Sequence, residues 1–260
     1  MERWPSGTGR EIHAELDSTN AEALRRLNAG APGPLWILAQ HQTAARGRRG
    51  RAWAMPEGNF AATLLLRPDA PPAELALRSF AAALALHDAL VTATGRADLF
   101  TLKWPNDVLL NGRKLAGILL ETGGHPPGLA IGFGVNLAAA PAPEMLEPDA
   151  TVPISLRDGA GITLLPEDLL DLLAPAMAAW EAQLTAEGFA PLRAAWLKHA
   201  ARLGEGVTAR LPDRTLDGRF DTIDSTGALV LTTATGRIAL PAAEVYFGPL
   251  TEEAGHAACH

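Results

Sequence analysis

Apolar positions fall into blocks of two lengths along the chain. Residues 35–40 (LWILAQ) form a run of strand length, residues 59–67 (NFAATLLLR) read as a buried strand, and residues 99–104 and 129–138 add two more. Longer Ala/Leu-rich blocks at 72–94, 166–187 and 189–200 predict helices, the first stopped by Gly95. Thr19-Asn20-Ala21-Glu22 has the form of a capping box and predicts a short helix ending near Gly30. Residues 107–110 and 113–121 flank Asn111-Gly112, a type I′ hairpin signal because both central residues need positive φ. Residues 42–58 and 141–153 carry no usable period and read as loops. The glycines of residues 129–138 (LAIGFGVNLA) mark a strand that something approaches closely.

From Leu203 the pattern changes to short runs about ten residues apart, broken by Gly and Asp, which predicts a small all-β module. The predicted architecture is α+β: residues 1–202 form a domain with a mixed or mostly antiparallel sheet and helices, residues 203–250 a small β-barrel, and residues 251–260 a frayed tail. The hairpin and the irregular order of elements argue against a doubly wound parallel sheet.

The chain has 260 residues, 48% of them hydrophobic and 20% charged, an ordinary globular composition with room for one large and one small domain. A net charge of −7 excludes a general basic field for nucleic acid. The single cysteine, Cys259, excludes an intrachain disulfide and a cysteine metal site. The first residues lack the apolar core of a signal peptide, and the apolar run at 80–91 contains His87 and Asp88 and is too short to span a bilayer. A reducing, cytoplasmic location without membrane attachment is the expectation.

Against this acidic background, Arg46, Arg48, Arg49 and Arg51 stand within six residues, interleaved with Gly47 and Gly50. Glycine lets backbone approach a ligand, and guanidinium forks suit phosphate or carboxylate. A solvated charge run explains the same residues about equally well. Of three lysines, Lys103 closes a predicted strand and Lys114 opens another. A lysine beside a carboxylate and a phosphate stabilises developing charge. Asn106 and Asp107 could hold a ribose hydroxyl or a metal ion, or make the turn. His13, His41, His87, His125, His199, His256 and His260 are scattered without metal-ligand spacing and read as structural or exposed.

RGRRGR (46–51), KWPNDV (103–108) and RKLAGILLE (113–121), with Ser18-Thr19-Asn20 upstream and GFGVN (132–136) downstream, closely resemble the biotin protein ligases. The resemblance extends more weakly into the C-terminal module. It implies a class II synthetase-like catalytic domain with an SH3-like C-terminal barrel, and activation of biotin by ATP for transfer to a lysine of a biotin carboxyl carrier protein, such as that of acetyl-CoA carboxylase. By position, it implies that Ser18, Thr19, Asn20 and Gln42 line the biotin pocket, and that Arg46, Gly47 and Arg48 fold over biotin and the adenylate. Lys114 would contact the biotin carboxylate and the α-phosphate, and Gly117 would let backbone approach the ligand. Lys114 and Arg48 would be the catalytic pair. Arg51, Trp53, Lys103, Asn106, Asp107 and Asn136 would face ATP or the adenylate, with Mg²⁺ as the accompanying ion and Asp107 its possible ligand. Ala45 stands where the family usually has Gly. Ser18–Asn20 lie too near the start for the DNA-binding domain some members carry, so operator binding is not expected. The resemblance leaves monomer and homodimer open.

Three rival readings stand beside it. A lipoate or octanoate ligase of related fold needs a less polar pocket than Ser18, Thr19 and Gln42 supply. A nucleic-acid module would use the arginine run and the barrel, but Asp213, Asp217, Asp221 and Asp224 make the barrel acidic and aromatics are only 5%. A catalytically dead adenylate sensor would keep the same motifs.

Overall fold

The computed structural model describes residues 4–142, 151–241 and 243–246. The expected tail at 251–260, with Cys259, His256 and His260, and most of the expected loop at 141–153 lie outside the described residues.

Seven strands form a mixed sheet in the order β1-β2-β3-β7-β6-β5-β4. They are β1 (Gly9–Leu16), β2 (Leu35–Gln42), β3 (Phe60–Leu66), β4 (Phe100–Lys103), β5 (Asp107–Leu110), β6 (Arg113–Gly123) and β7 (Gly128–Val135). All pairs are antiparallel except β1 with β2. Helix α1 (Thr19–Asn28) makes the crossover that this one parallel pair requires. The hydrophobic pattern does not show β1. Its sequence, GREIHAEL, carries Arg10, Glu11 and Glu15 and shows no apolar run, as suits an edge strand with Ile12 exposed. The β5–β6 hairpin forms as expected, with Asn111 at φ 50° and Gly112 at φ 72°.

The cap of α1 corrects the sequence reading. Ser18, not Thr19, is the N-cap, accepting from the Ala21 N–H. Glu22 turns instead to Arg25 and Arg26, at 2.8 and 2.6 Å. The helix expected at 72–94 is two: α2 (Pro72–Leu75) and α3 (Arg78–Thr94), the latter ended by Gly95 in the left-handed region. Short α4 (Leu156–Ala160), capped by Ser155, is a further element beyond those expected. Then come α5 (Pro166–Glu187) and α6 (Phe189–Lys198).

By length and composition alone, Ala73–Thr94 could cross a membrane, but 72% of its most apolar window is buried. α3 lies between strands β4–β6 and helices α5 and α6, so it is apolar nearly all round. Phe80 anchors it edge-on against Phe189 and Trp196, at 4.9 and 5.5 Å between ring centres.

The C-terminal strands β8 (Gly206–Arg210), β9 (Thr215–Ile223), β10 (Leu229–Thr233), β11 (Gly236–Leu240) and β12 (Glu244–Tyr246) form a second, antiparallel sheet, ordered β11-β10-β9-β8-β12. It agrees with the expected SH3-like module. One hydrophobic core is continuous through both sheets. The Trp104 indole N–H donates to the Gly227 carbonyl at 3.0 Å, and Arg193 donates to the Ile223 carbonyl. These contacts tie the turn between β9 and β10 to the large domain.

Candidate active site

A cavity of about 680 Å³ opens between the β5–β7 face of the large sheet, the segment 42–54 and strand β12. Every site residue named from the sequence lines it.

One end is polar and uncharged. Ser18 and Thr19 open α1, and Thr19 donates its N–H to Gln42 Oε1 at 2.7 Å. The Gln42 amide nitrogen faces the Met55 sulfur at 3.3 Å. The Ser18 hydroxyl oxygen accepts a helix N–H, which leaves its proton available to a ligand carbonyl. Asn20 is buried and donates to Glu121 Oε2 at 2.9 Å and to the Leu119 carbonyl at 3.3 Å.

The other end is cationic. Lys103 and Lys114 meet there because β4, β5 and β6 are adjacent strands. Lys114 Nζ pairs with Asp107 Oδ1 at 2.7 Å and lies 5.7 Å from the Trp53 ring centre. Lys103 is buried and donates to Thr151 Oγ1 at 2.6 Å. Burial lowers its pKa, Lys114 pushes the same way, and Asp107 opposes both. Burial likewise lowers the pKa of Arg48, helped by Arg49 and Arg51 and opposed by Asp107. Asn106 Nδ2 donates to the Ile118 carbonyl at 2.5 Å, so its amide nitrogen holds the turn rather than facing the cavity. Asn136 is buried and its Oδ1 has no hydrogen-bond partner, one of three such side-chain atoms among the described residues.

The segment 42–54 crosses the cavity. Arg46 turns to Glu121, 3.1 Å away, and its backbone bridges to Ala52. Arg49 pairs with Glu244 of β12 at 3.2 Å, and Arg51 pairs with the same carboxylate. Trp53 lies against Gly117 and Gly134, which face each other across β6 and β7. A Cβ at Gly134 would come within 2.7 Å of the indole and one at Gly117 within 3.2 Å. Both glycines therefore receive Trp53, where Gly117 was expected to receive the ligand.

The sequence reading missed Thr63, Glu121, Thr151, Glu244 and Tyr246. Glu121 closes one of the motifs but carries no role that its neighbours along the chain reveal. Glu244 lies in a separate module, and no pattern along the chain links it to the arginines.

Residues 14–136 match the biotin/lipoate A/B protein ligase family, and residues 203–248 match the biotin protein ligase C terminal domain. A biotin–[acetyl-CoA-carboxylase] ligase of Paracoccus denitrificans is 56% identical over 238 residues, covering 90% of this chain and 99% of that protein. The chain belongs to the biotin protein ligase family. Within that family, the bifunctional ligase/repressor BirA of Bacillus subtilis is 32% identical over 91% of this chain and 73% of its own length. Among solved structures, a biotin protein ligase from Aquifex aeolicus in complex with biotin and ATP superposes with a TM-score of 0.79. It is 24% identical and covers 91% of this chain and 97% of that one, a likeness of fold.

Proposed function

We propose that this ligase joins biotin to ATP, giving biotinyl-5′-AMP and pyrophosphate, and then transfers biotin to a lysine of the biotin carboxyl carrier protein of acetyl-CoA carboxylase. The observation that carries this reading is the opposite chemistry of the two cavity ends. Ser18, Thr19 and Gln42 offer hydrogen bonds to a neutral polar ring, while Arg48, Lys103 and Lys114 offer charge to a carboxylate and phosphates. A lipoyl ring has no urea to match the first end, which favours biotin over lipoate or octanoate.

In the first step the biotin carboxylate oxygen attacks the α-phosphorus and the bond to pyrophosphate breaks. Lys114 and Arg48 stabilise the charge that gathers on the phosphate oxygens. Asp107 keeps the Lys114 ammonium at the attack point, and Asn136 Oδ1 awaits a donor from the adenylate. In the second step the carrier lysine amine attacks the acyl carbon, AMP leaves and the amine loses its proton. Segment 42–54 with Trp53 covers the mixed anhydride against water.

ATP calls for Mg²⁺. No cluster of three or more metal-ligating side chains exists among the described residues, and Asp107 is the carboxylate beside Lys103 and Lys114. That suits an ion taking most of its oxygens from phosphate and water. Residues 1–202 would carry the chemistry and 203–250 would steady the arginine segment. The protein would work in the cytoplasm, as a monomer or homodimer.

The test mixes protein, biotin, Mg-ATP and carrier domain and reads the carrier by mass spectrometry. A gain of one biotin that needs ATP is expected. No gain with any carrier, despite tight biotin binding, would indicate a sensor, and no binding would return lipoate to the front.

A further inference from the structure

Six side chains in and behind the neutral end of the cavity form a continuous line of hydrogen bonds. Thr19 Oγ1 lies 3.2 Å from Gln42 Oε1 and 2.9 Å from Thr63 Oγ1, and Thr63 Oγ1 lies 2.6 Å from Asn20 Oδ1. Asn20 Nδ2 reaches Glu121 Oε2 at 2.9 Å, and Arg46 reaches the same carboxylate. Thr63 is fully buried on β3, opposite Gly132 of β7. A Cβ at Gly132 would sit 2.1 Å from Asn20 Oδ1, so the glycine is what lets Asn20 occupy this place.

The protons along this line can be assigned in order, starting from Glu121. Glu121 and the Leu119 carbonyl only accept, so the Asn20 amide must turn its NH₂ to them and its oxygen to Thr63. That oxygen only accepts, so Thr63 must donate to it. A hydroxyl has one proton, so Thr63 can then only accept from Thr19. The Thr19 proton has two acceptors within reach, Thr63 Oγ1 at 2.9 Å and Gln42 Oε1 at 3.2 Å; the shorter contact takes it, and Gln42 Oε1 keeps the Thr19 backbone N–H. What remains of the Thr19 hydroxyl is its lone pairs.

We propose that Glu121 and Thr63 are positioning residues that fix the direction of the Thr19 hydroxyl, so that the cavity presents an acceptor there and selects ligands carrying a ring N–H. Neither residue needs to touch the ligand. Ser18 beside it presents a proton, and the adjacent donor and acceptor match the C=O and N–H of a cyclic urea. A ring oxygen in place of that N–H meets lone pairs and is rejected, because a buried polar group is left unpaired. This specificity mechanism rests on the biotin reading above.

The experiment measures kcat/KM for adenylation of biotin and of two carbamate analogues, each with one ring N–H replaced by oxygen. In the unsubstituted protein, biotin-dependent pyrophosphate exchange tests the biotin reading by itself. Thr63→Val frees the Thr19 proton to turn toward a ring oxygen, so preference for biotin over one analogue should fall roughly tenfold. Thr63→Ser should restore the preference. Glu121→Gln, at a partly exposed position, should lower it as well, because a neutral amide can meet either end of Asn20. If Thr63→Val lowers biotin and analogue together and leaves their ratio unchanged, the relay is overturned and Thr63 only fills space. Should the valine chain fail to fold, Glu121→Gln decides the question in the same way, an unchanged ratio overturning the relay.

Discussion

Arg49 of the segment over the cavity lies 3.2 Å from Glu244, a residue of the first position of β12 in the other sheet. Arg51 converges on the same carboxylate. The C-terminal module is therefore tied to the segment over the cavity by one acid and two arginines. The arginines are about half exposed, so each pair contributes under about 1 kcal/mol and is screened by salt. Glu244→Gln should raise the KM for ATP about two- to fivefold at low ionic strength while leaving the KM for biotin near its original value. The difference from the unsubstituted protein should shrink in high salt. An equal change in both constants would mean that Glu244 acts on the whole fold and not on the segment.

Lys114 is the cation proposed above for the first chemical step. It lies on β6, directly after the hairpin, with Asp107 at 2.7 Å and Trp53 beside it. Lys114→Ala removes one charged donor from the developing phosphate charge and takes from Asp107 its direct ion-pair partner. Adenylation, read as biotin-dependent pyrophosphate exchange, should fall on the order of 100- to 1,000-fold. Exchange at near-normal rate would exclude Lys114 from the step.

Arg48 differs from its neighbours in that no ion pair ties it to Glu121 or Glu244, and burial lowers its pKa. A desolvated guanidinium of this kind contributes most when an anion is present. Arg48→Ala should accelerate release of biotinyl-5′-AMP roughly tenfold or more, yet change biotin binding less than about threefold. Stopped-flow release of the adenylate and equilibrium titration of biotin together decide this, and equal losses in the two would count against it.

Most of the large sheet was legible from unbroken apolar runs, because β2, β3 and β7 are interior strands. β1 was not, because an edge strand keeps charged residues and shows little period. The position of the α1 cap was missed by one residue, since Ser18 and Thr19 are both good caps and only the fold decides which hydroxyl is needed elsewhere. The site residues could be named because they sit in compact motifs, but their partners could not. Thr63 reads as an ordinary strand residue until Gly132 is seen opposite it. Gly117 and Gly134 gave a correct sign of close approach, but Trp53 as the approaching group depends on the path of the segment between.

Gly132 offers a direct check on that geometry. Alanine there puts a methyl carbon 2.1 Å from Asn20 Oδ1, a contact that must move Asn20. Overpacking of this kind costs about 1–3 kcal/mol. Gly132→Ala should lower the unfolding midpoint and raise the KM for biotin, with the KM for ATP changed much less. Similar rises in both would place the damage in the sheet as a whole.

Lys103 is buried at a cost to folding. Its folded-state pKa lies below the ordinary lysine value of 10.5, mainly from burial. Below the folded-state pKa, Lys103 is charged in both states, and folding bears the full penalty of removing that charge from water. The penalty shrinks as pH rises through the folded-state pKa, and it is gone above about 10.5, where both states are neutral. Lys103→Met keeps the length of the side chain and removes the charge. The variant should be more stable by roughly 0.5–2 kcal/mol at neutral pH, with the advantage fading toward pH 10.5, and it should lose affinity for ATP. Denaturant unfolding at pH 7 and pH 10 measures the first part, and pyrophosphate exchange the second. A variant less stable at pH 7 would show that the bond to Thr151 outweighs the burial penalty and that this lysine is a structural strut.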